Sequence, residues 1–215
     1  MTVPPNQLEV INLGRSDYQV TWDAMRDYTH QRILQTTDQL WITEHPPVFT
    51  QGLNGRAEHV LDSGDIPLVQ VDRGGQVTYH GPGQLVIYCL LDLNRYGLGV
   101  KGLVAKIEQS IIDLLESYNV AAYARADAPG VYVDQAKVAA LGLRIRKGCC
   151  YHGLSLNVDM ELEPFSRIDP CGYRGLAVTQ LRDLGVKVSV EQVGFELADH
   201  IKGLLSEKES GSTGR

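Results

Sequence analysis

Residues 17–35 place Tyr18, Trp22, Met25, Thr29 and Ile33 at steps of three and four, behind Asp17 in the position of a helix cap. That spacing predicts an amphipathic helix. The period then changes. Residues 40–43 are a short apolar run stopped by Pro46 and Pro47, and residues 68–71 are another behind Pro67, so both predict strands. Residues 84–93 are almost continuously apolar, the pattern of a central strand covered on both faces. Leu103, Val104, Ile107, Ile111 and Leu114 define a second helix, and residues 120–123 a candidate edge strand. Strands are expected again at 130–133, 137–145 and 151–158. Ser189 and Gln192 form a capping box before a last helix carrying Val190, Val193, Leu197, Ile201 and Leu204 on one face.

Several strands in short succession, set around a few long helices, predict an α+β (mixed α/β) domain rather than repeated βαβ units. The 215 residues hold no repeat or linker, so one domain is expected over 1–206, with the small polar tail 207–215 disordered.

Composition narrows the functional classes. A formal charge of −6 argues against a phosphate-backbone partner, so no nucleic acid is expected. No apolar run approaches the roughly 18 residues that span a bilayer, and the first residues lack a basic segment followed by an apolar core, so no membrane association and a cytoplasmic location are expected. The four cysteines lack the density of a disulfide framework and the spacing of metal ligands, so thiols are expected reduced and no metal or cofactor is implied. Without a coiled-coil heptad or a long apolar edge, a monomer is the default.

Three segments carry candidate chemistry. Residues 73–84, RGGQVTYHGPGQ, hold more glycine and polar residues than a tight turn needs; Gly74 and Gly75 would let the backbone approach a ligand and offer N–H groups to it. The Gly-x4-Gly-Lys-Ser/Thr phosphate loop is absent from the chain. His80, and likewise His152, read on their own as hydrogen-bonded structural histidines. Lys137 interrupts an apolar strand and is either a charge reaching solvent from the strand end or an ammonium held near a reacting group. Among the thiols, Cys89 lies in an apolar run and reads as core, Cys149 and Cys150 adjoin a Lys-Gly turn, and Cys171, in IDPCG, alone has loop-like neighbours. A lysine ammonium near such a thiol would favour the thiolate, and by residue type Lys137 and Cys171 could make that pair.

Taken in order, RGGQVTYHGPGQ (73–84), KVAALGLR (137–144), HGLSLNV (152–158) and IDPCG (168–172) resemble the corresponding blocks of the bacterial lipoyl(octanoyl) transferases. The resemblance runs from the first helix to the last. It departs slightly at Val138 and Tyr132, where isoleucine and tryptophan are common, which bears on the acyl pocket rather than the chemistry. It implies the fold of biotin and lipoate protein ligases and transfer of an octanoyl group from octanoyl-acyl carrier protein to a lysine of lipoyl domains. Those acceptors are the domains of 2-oxoacid dehydrogenase complexes and the glycine cleavage H protein.

By the same resemblance Cys171 forms the acyl-thioester and Lys137 lowers its pKa. Substrate-binding residues map onto Arg73, Gly74, Gly75, Gln76, Val77, Thr78, Tyr79 and His80, onto Ala140, Leu141 and Gly142, and onto Gly153, Leu154 and Ser155. Two other activities fit the same blocks: an ATP-dependent lipoate or biotin ligase, and a non-catalytic binder of acyl carriers or lipoyl domains. Release of free acid would mark a hydrolase instead. Acyl carrier proteins are acidic, and Arg144 and Arg146, two apart on one strand face with Lys147 following, are the candidate dock; an ordinary solvated strand face is the competing reading.

Overall fold

In a computed structural model, residues 8–169 and 175–206 are described. The expected tail at 207–215 lies outside them, as does Cys171. The chain runs β1 (Leu8–Arg15), α1 (Tyr18–His30), β2 (Asp38–Glu44), β3 (Val48–Gln51), β4 (Leu68–Gln70), β5 (Val77–His80), β6 (Gln84–Asp92), α2 (Leu93–Tyr96) and α3 (Val100–Ser117). It continues through β7 (Tyr123–Ala124), β8 (Val131–Val133), β9 (Ala136–Arg146), β10 (Cys149–Asn157) and α4 (Val190–Ser206). Seven strands form one mixed sheet in the order β1-β2-β6-β10-β9-β8-β7, and β4-β3-β5 form a second of three strands. This is the mixed α+β architecture expected.

The central strand behaves as its composition demands. Leu85, Ile87, Cys89 and Leu91 of β6 belong to the core under α3 and α4, while Val86, Tyr88 and Leu90 face the other way, toward Met25 of α1 and Tyr151 of β10. Cys89 is fully buried, and burial pushes its thiol up to about 12, so it is inert packing.

Helix α1 starts where predicted, with the Asp17 carboxylate accepting the Val20 N–H at 3.0 Å. It ends at His30 rather than 35. Arg32 is drawn inward to the buried Asp38 and to Leu90 O, and Thr36 N–H donates to Ile33 O at 3.0 Å in a turn that leaves Ile33 exposed. In α4 the Ser189 hydroxyl accepts the Gln192 N–H at 3.1 Å, and Leu205 rather than Leu204 completes the buried face. The expected edge strand at 120–123 is displaced to β7. Strands β1, β3 and β5 were not anticipated, and β5 runs through the glycine-rich segment itself.

Candidate active site

Strand pairing brings the separated blocks together. In the β9–β10 register Ala140, Leu141 and Gly142 stand opposite Ser155, Leu154 and Gly153. A cleft opens over this pairing, about 780 Å³ counting the part open to solvent. Its apolar wall includes Val77, Val86, Ala139, Leu154, Phe165 and Val178, and Lys137 stands in it as well. Of the predicted binding residues, Arg73, Gly75, Gln76, Val77, Thr78, His80 and the six of the two strands line it. Tyr79 does not: it pairs across the small sheet with Phe49 and packs on Phe49 and Phe165. Gly74 is withdrawn too, because its N–H donates to Leu143 O at 2.9 Å, so the expectation that it offers a free N–H to a ligand is corrected.

Lys137 is not a strand-end charge reaching solvent, since it is only 4% exposed. Its ammonium donates to Pro129 O at 3.2 Å and lies 5.2 Å from the ring centroid of Tyr132, its cross-strand partner in β8. Gly130 makes room for it. At φ 137° a Cβ there would lie 2.7 Å from Ala139 O and 3.1 Å from Lys137 Cε.

Cys171 lies outside the described residues, but the described chain before and after it is bonded to its surroundings. Asp169 N–H donates to His59 O at 2.9 Å. On the far side, Lys137 N–H donates to Ala177 O at 2.8 Å and Thr179 N–H to Lys137 O at 3.0 Å. The segment that follows the cysteine is therefore laid against the lysine in a parallel bridge, Lys137 with Val178.

The glycine-rich segment is clamped by Arg73. Its guanidinium donates to Thr50 O at 2.6 Å, to Thr50 Oγ1 at 2.8 Å and to Gly74 O at 2.9 Å. His80 lies beneath, stacked on Tyr18, with Nδ1 2.7 Å from Gln84 Oε1. The Gln84 amide nitrogen donates to Tyr79 O and Asn157 Oδ1, so its oxygen faces His80, and His80 carries its proton on Nδ1. Burial, then the neighbouring His45, lowers His80 to about 3, against the pull of Gln84. The structural reading of His80 holds: it is neutral at pH 7 and spends its proton on the protein.

His152 lies within β10 rather than at its start, at φ 61°, with Nε2 3.0 Å from Asp72 Oδ1. Burial would raise Asp72, but bonds from His152, Tyr151 and Trp22 outweigh it and hold the carboxyl far below its usual range. An ionised Asp72 only accepts, so Nε2 of His152 donates. Burial lowers the His152 pKa, with Asp72 opposing.

Tyr88 and Asn157 also line the cleft and were not foreseen. The signal for Tyr88 was a hydroxyl in an otherwise apolar strand. It donates to His45 Nε2 at 2.7 Å, because His45 Nδ1 faces the Ser16 carbonyl and must carry the ring proton.

The basic residues expected as a dock, Arg144 and Arg146, are exposed toward the end of β9. Arg144 and Arg146 are seven and nine positions along β9 from Lys137, about 24 and 31 Å at ~3.4 Å per residue. Arg146 engages His30 at 2.8 Å. No described helix is long and apolar enough to cross a membrane, and among the described residues no group of three or more His, Cys, Asp or Glu could hold a metal.

A family model described as the lipoyl protein ligase A/B catalytic domain matches residues 17–202. A curated relative from Shewanella sp. (strain ANA-3), named octanoyltransferase, is 60% identical over 198 residues, 92% of this chain and 91% of its own. Another of that name, from Alkalilimnicola ehrlichii, is 57% identical over 208 residues, 97% of each chain. Among solved structures, a lipoate-protein ligase A bound with ATP is similar with a TM-score of 0.78 at 16% identity, covering 93% of this chain and 86% of its own. Biotin protein ligase from Aquifex aeolicus gives 0.57 at 13% identity, over 96% and 72%. The structural likenesses concern the fold alone; the family model and the curated relatives concern descent, and on them the chain belongs to the lipoyl protein ligase A/B catalytic-domain family.

Proposed function

We propose that the protein is an octanoyltransferase, moving an octanoyl group from octanoyl-acyl carrier protein to a lysine of lipoyl domains through a thioester on Cys171. The observation that carries this reading is the buried Lys137 ammonium in an apolar-walled cleft, its main chain bonded to the segment that follows Cys171. Relatives at about 60% identity named octanoyltransferase support the acyl group. Domains of 2-oxoacid dehydrogenase complexes and the glycine cleavage H protein are the proposed acceptors, and the enzyme is read as a monomer acting in the cytoplasm.

The steps balance without a nucleotide. The Lys137 ammonium favours the Cys171 thiolate, which attacks the donor's thioester carbonyl; a new C–S bond forms, the old one breaks, and the carrier thiol leaves with a proton from Lys137. Lys137, now neutral, takes the proton of the acceptor amine as it attacks, and the C–N bond replaces the Cys171 thioester. The cleft wall holds the acyl chain, each buried methylene contributing about 0.8 kcal/mol. His80 and His152 are left out of proton transfer because their protons are committed within the protein.

The test is transfer of octanoyl from the carrier to a purified lipoyl domain without ATP or magnesium. Product in the wild type and none from Lys137→Ala fits the proposal. Transfer that requires ATP and survives Cys171→Ala would point to a ligase instead.

A further inference from the structure

Glu108, a half-buried carboxylate of α3, belongs to none of the sequence blocks yet reaches the lysine through one peptide group. Its Oε1 accepts the Gly130 N–H at 2.8 Å. The carbonyl of that same peptide unit, on Pro129, accepts the Lys137 ammonium at 3.2 Å. A single planar group thus has a carboxylate at its N–H end and an ammonium at its C=O end. Each bond polarises the peptide so as to strengthen the other, and both are charge-assisted.

The surroundings keep this plane in register. Gly130 has no Cβ to displace the Lys137 side chain, and the Tyr132 hydroxyl donates to Ala128 O at 2.8 Å, fixing the ring over which Lys137 lies. Arg125 sits on the same ring at 5.2 Å and pairs with Asp127 at 2.7 Å. Burial pushes the Glu108 carboxyl up, while the Gly130 N–H and the Lys137 charge draw it back, so the two groups are electrostatically linked as well as bonded to one peptide.

We propose that Glu108 is a positioning residue for Lys137, acting through the Pro129–Gly130 peptide to hold the ammonium at its place in the cleft. The catalytic consequence rests on the reading of Lys137 above; the positional relationship does not.

Two variants separate charge from shape. In Glu108→Gln the amide oxygen can still accept from Gly130, so the loop keeps its bond and loses only the carboxylate charge. In Glu108→Asp the charge stays on a shorter arm. Two readouts are taken with melting temperature: the single-turnover rate of acyl-enzyme formation from octanoyl-acyl carrier protein, and labelling of Lys137 by an amine reagent without substrate, read by peptide mass spectrometry.

For Glu108→Gln the rate at saturating donor should fall about tenfold with KM within about twofold. Lys137 labelling should rise several-fold at an unchanged melting temperature, and Glu108→Asp should lie between it and the wild type in both readouts. Wild-type labelling of Lys137 in both variants would overturn the proposal, whether or not the rate falls. If Glu108→Gln does not fold, Glu108→Asp decides by the same criteria. A wild type that never forms an acyl-enzyme would refute the assigned reaction, while the labelling would still decide whether Glu108 holds Lys137.

Discussion

The carbonyl of Lys137 accepts the Thr179 N–H at 3.0 Å, and the Thr179 carbonyl in turn accepts the Asn157 side-chain amide at 2.9 Å. From Asn157 the bonds run on through Gln84 and His80 toward Thr50, which Arg73 grips. One directed chain of buried polar groups therefore joins the lysine strand to the glycine-rich segment. Gln84 is its midpoint, using both ends of its amide.

Replacing Gln84 by Leu would strand the His80 N–H, Asn157 Oδ1 and one bond to Tyr79 O in the interior. Unmade buried bonds are expensive, so Gln84→Leu should lower unfolding free energy by about 2–5 kcal/mol. Urea denaturation at neutral pH measures it. A loss below about 1 kcal/mol would mean the chain contributes little to stability.

The His80 shift predicts an acid weakness. In the unfolded chain the imidazole titrates near its ordinary value of about 6.5, whereas the folded protein holds it at about 3. Between those values the unfolded state binds a proton that the folded state refuses, so stability is complete above about 6.5 and is lost as pH falls. His45 and His152, also lowered by burial, act in the same sense. Replacing His80 with Gln should reduce the slope of unfolding free energy between pH 5 and 6.5 by about 1 kcal/mol per pH unit, in a window where most carboxylates are already ionised. An unchanged slope would show that His80 is not held neutral.

Acyl length should answer to Ala140, whose small side chain lines the cleft beside Gly142. Enlarging it in Ala140→Leu should lower kcat/KM for octanoyl about tenfold relative to a butanoyl donor, since a few methylenes of lost space are worth that much in an apolar pocket. Equal losses for both donors would place the acyl chain elsewhere.

Much of this was legible in the sequence because burial leaves a period. The central strand and both long helices at α3 and α4 follow from apolar spacing, and residue type allows Lys137 and Cys171 as the pair to which the family resemblance gives the proposed roles. Strand β1 escaped notice because it is an exposed edge with no strict alternation, and β5 because its four residues lie between glycines that read as loop. Helix α1 overshot because its apolar spacing continues to Ile33, whereas Arg32 is turned inward by Asp38, a partner that periodicity does not reveal. The fate of Lys137 was undecidable from its neighbours along the chain. What buries it is Tyr132 across the strand and Gly130 beneath it, and what aligns it is Glu108 on a helix 29 positions earlier.

The proposed thioester on Cys171 is read most directly from an intact mass spectrum of the protein mixed with octanoyl-acyl carrier protein, with neither ATP nor acceptor, for wild type and Cys171→Ser. One octanoyl adduct is expected on the wild type, removed by hydroxylamine and missing from the variant. A wild type that gains no adduct, or a variant that gains the same one, would contradict the proposed thioester.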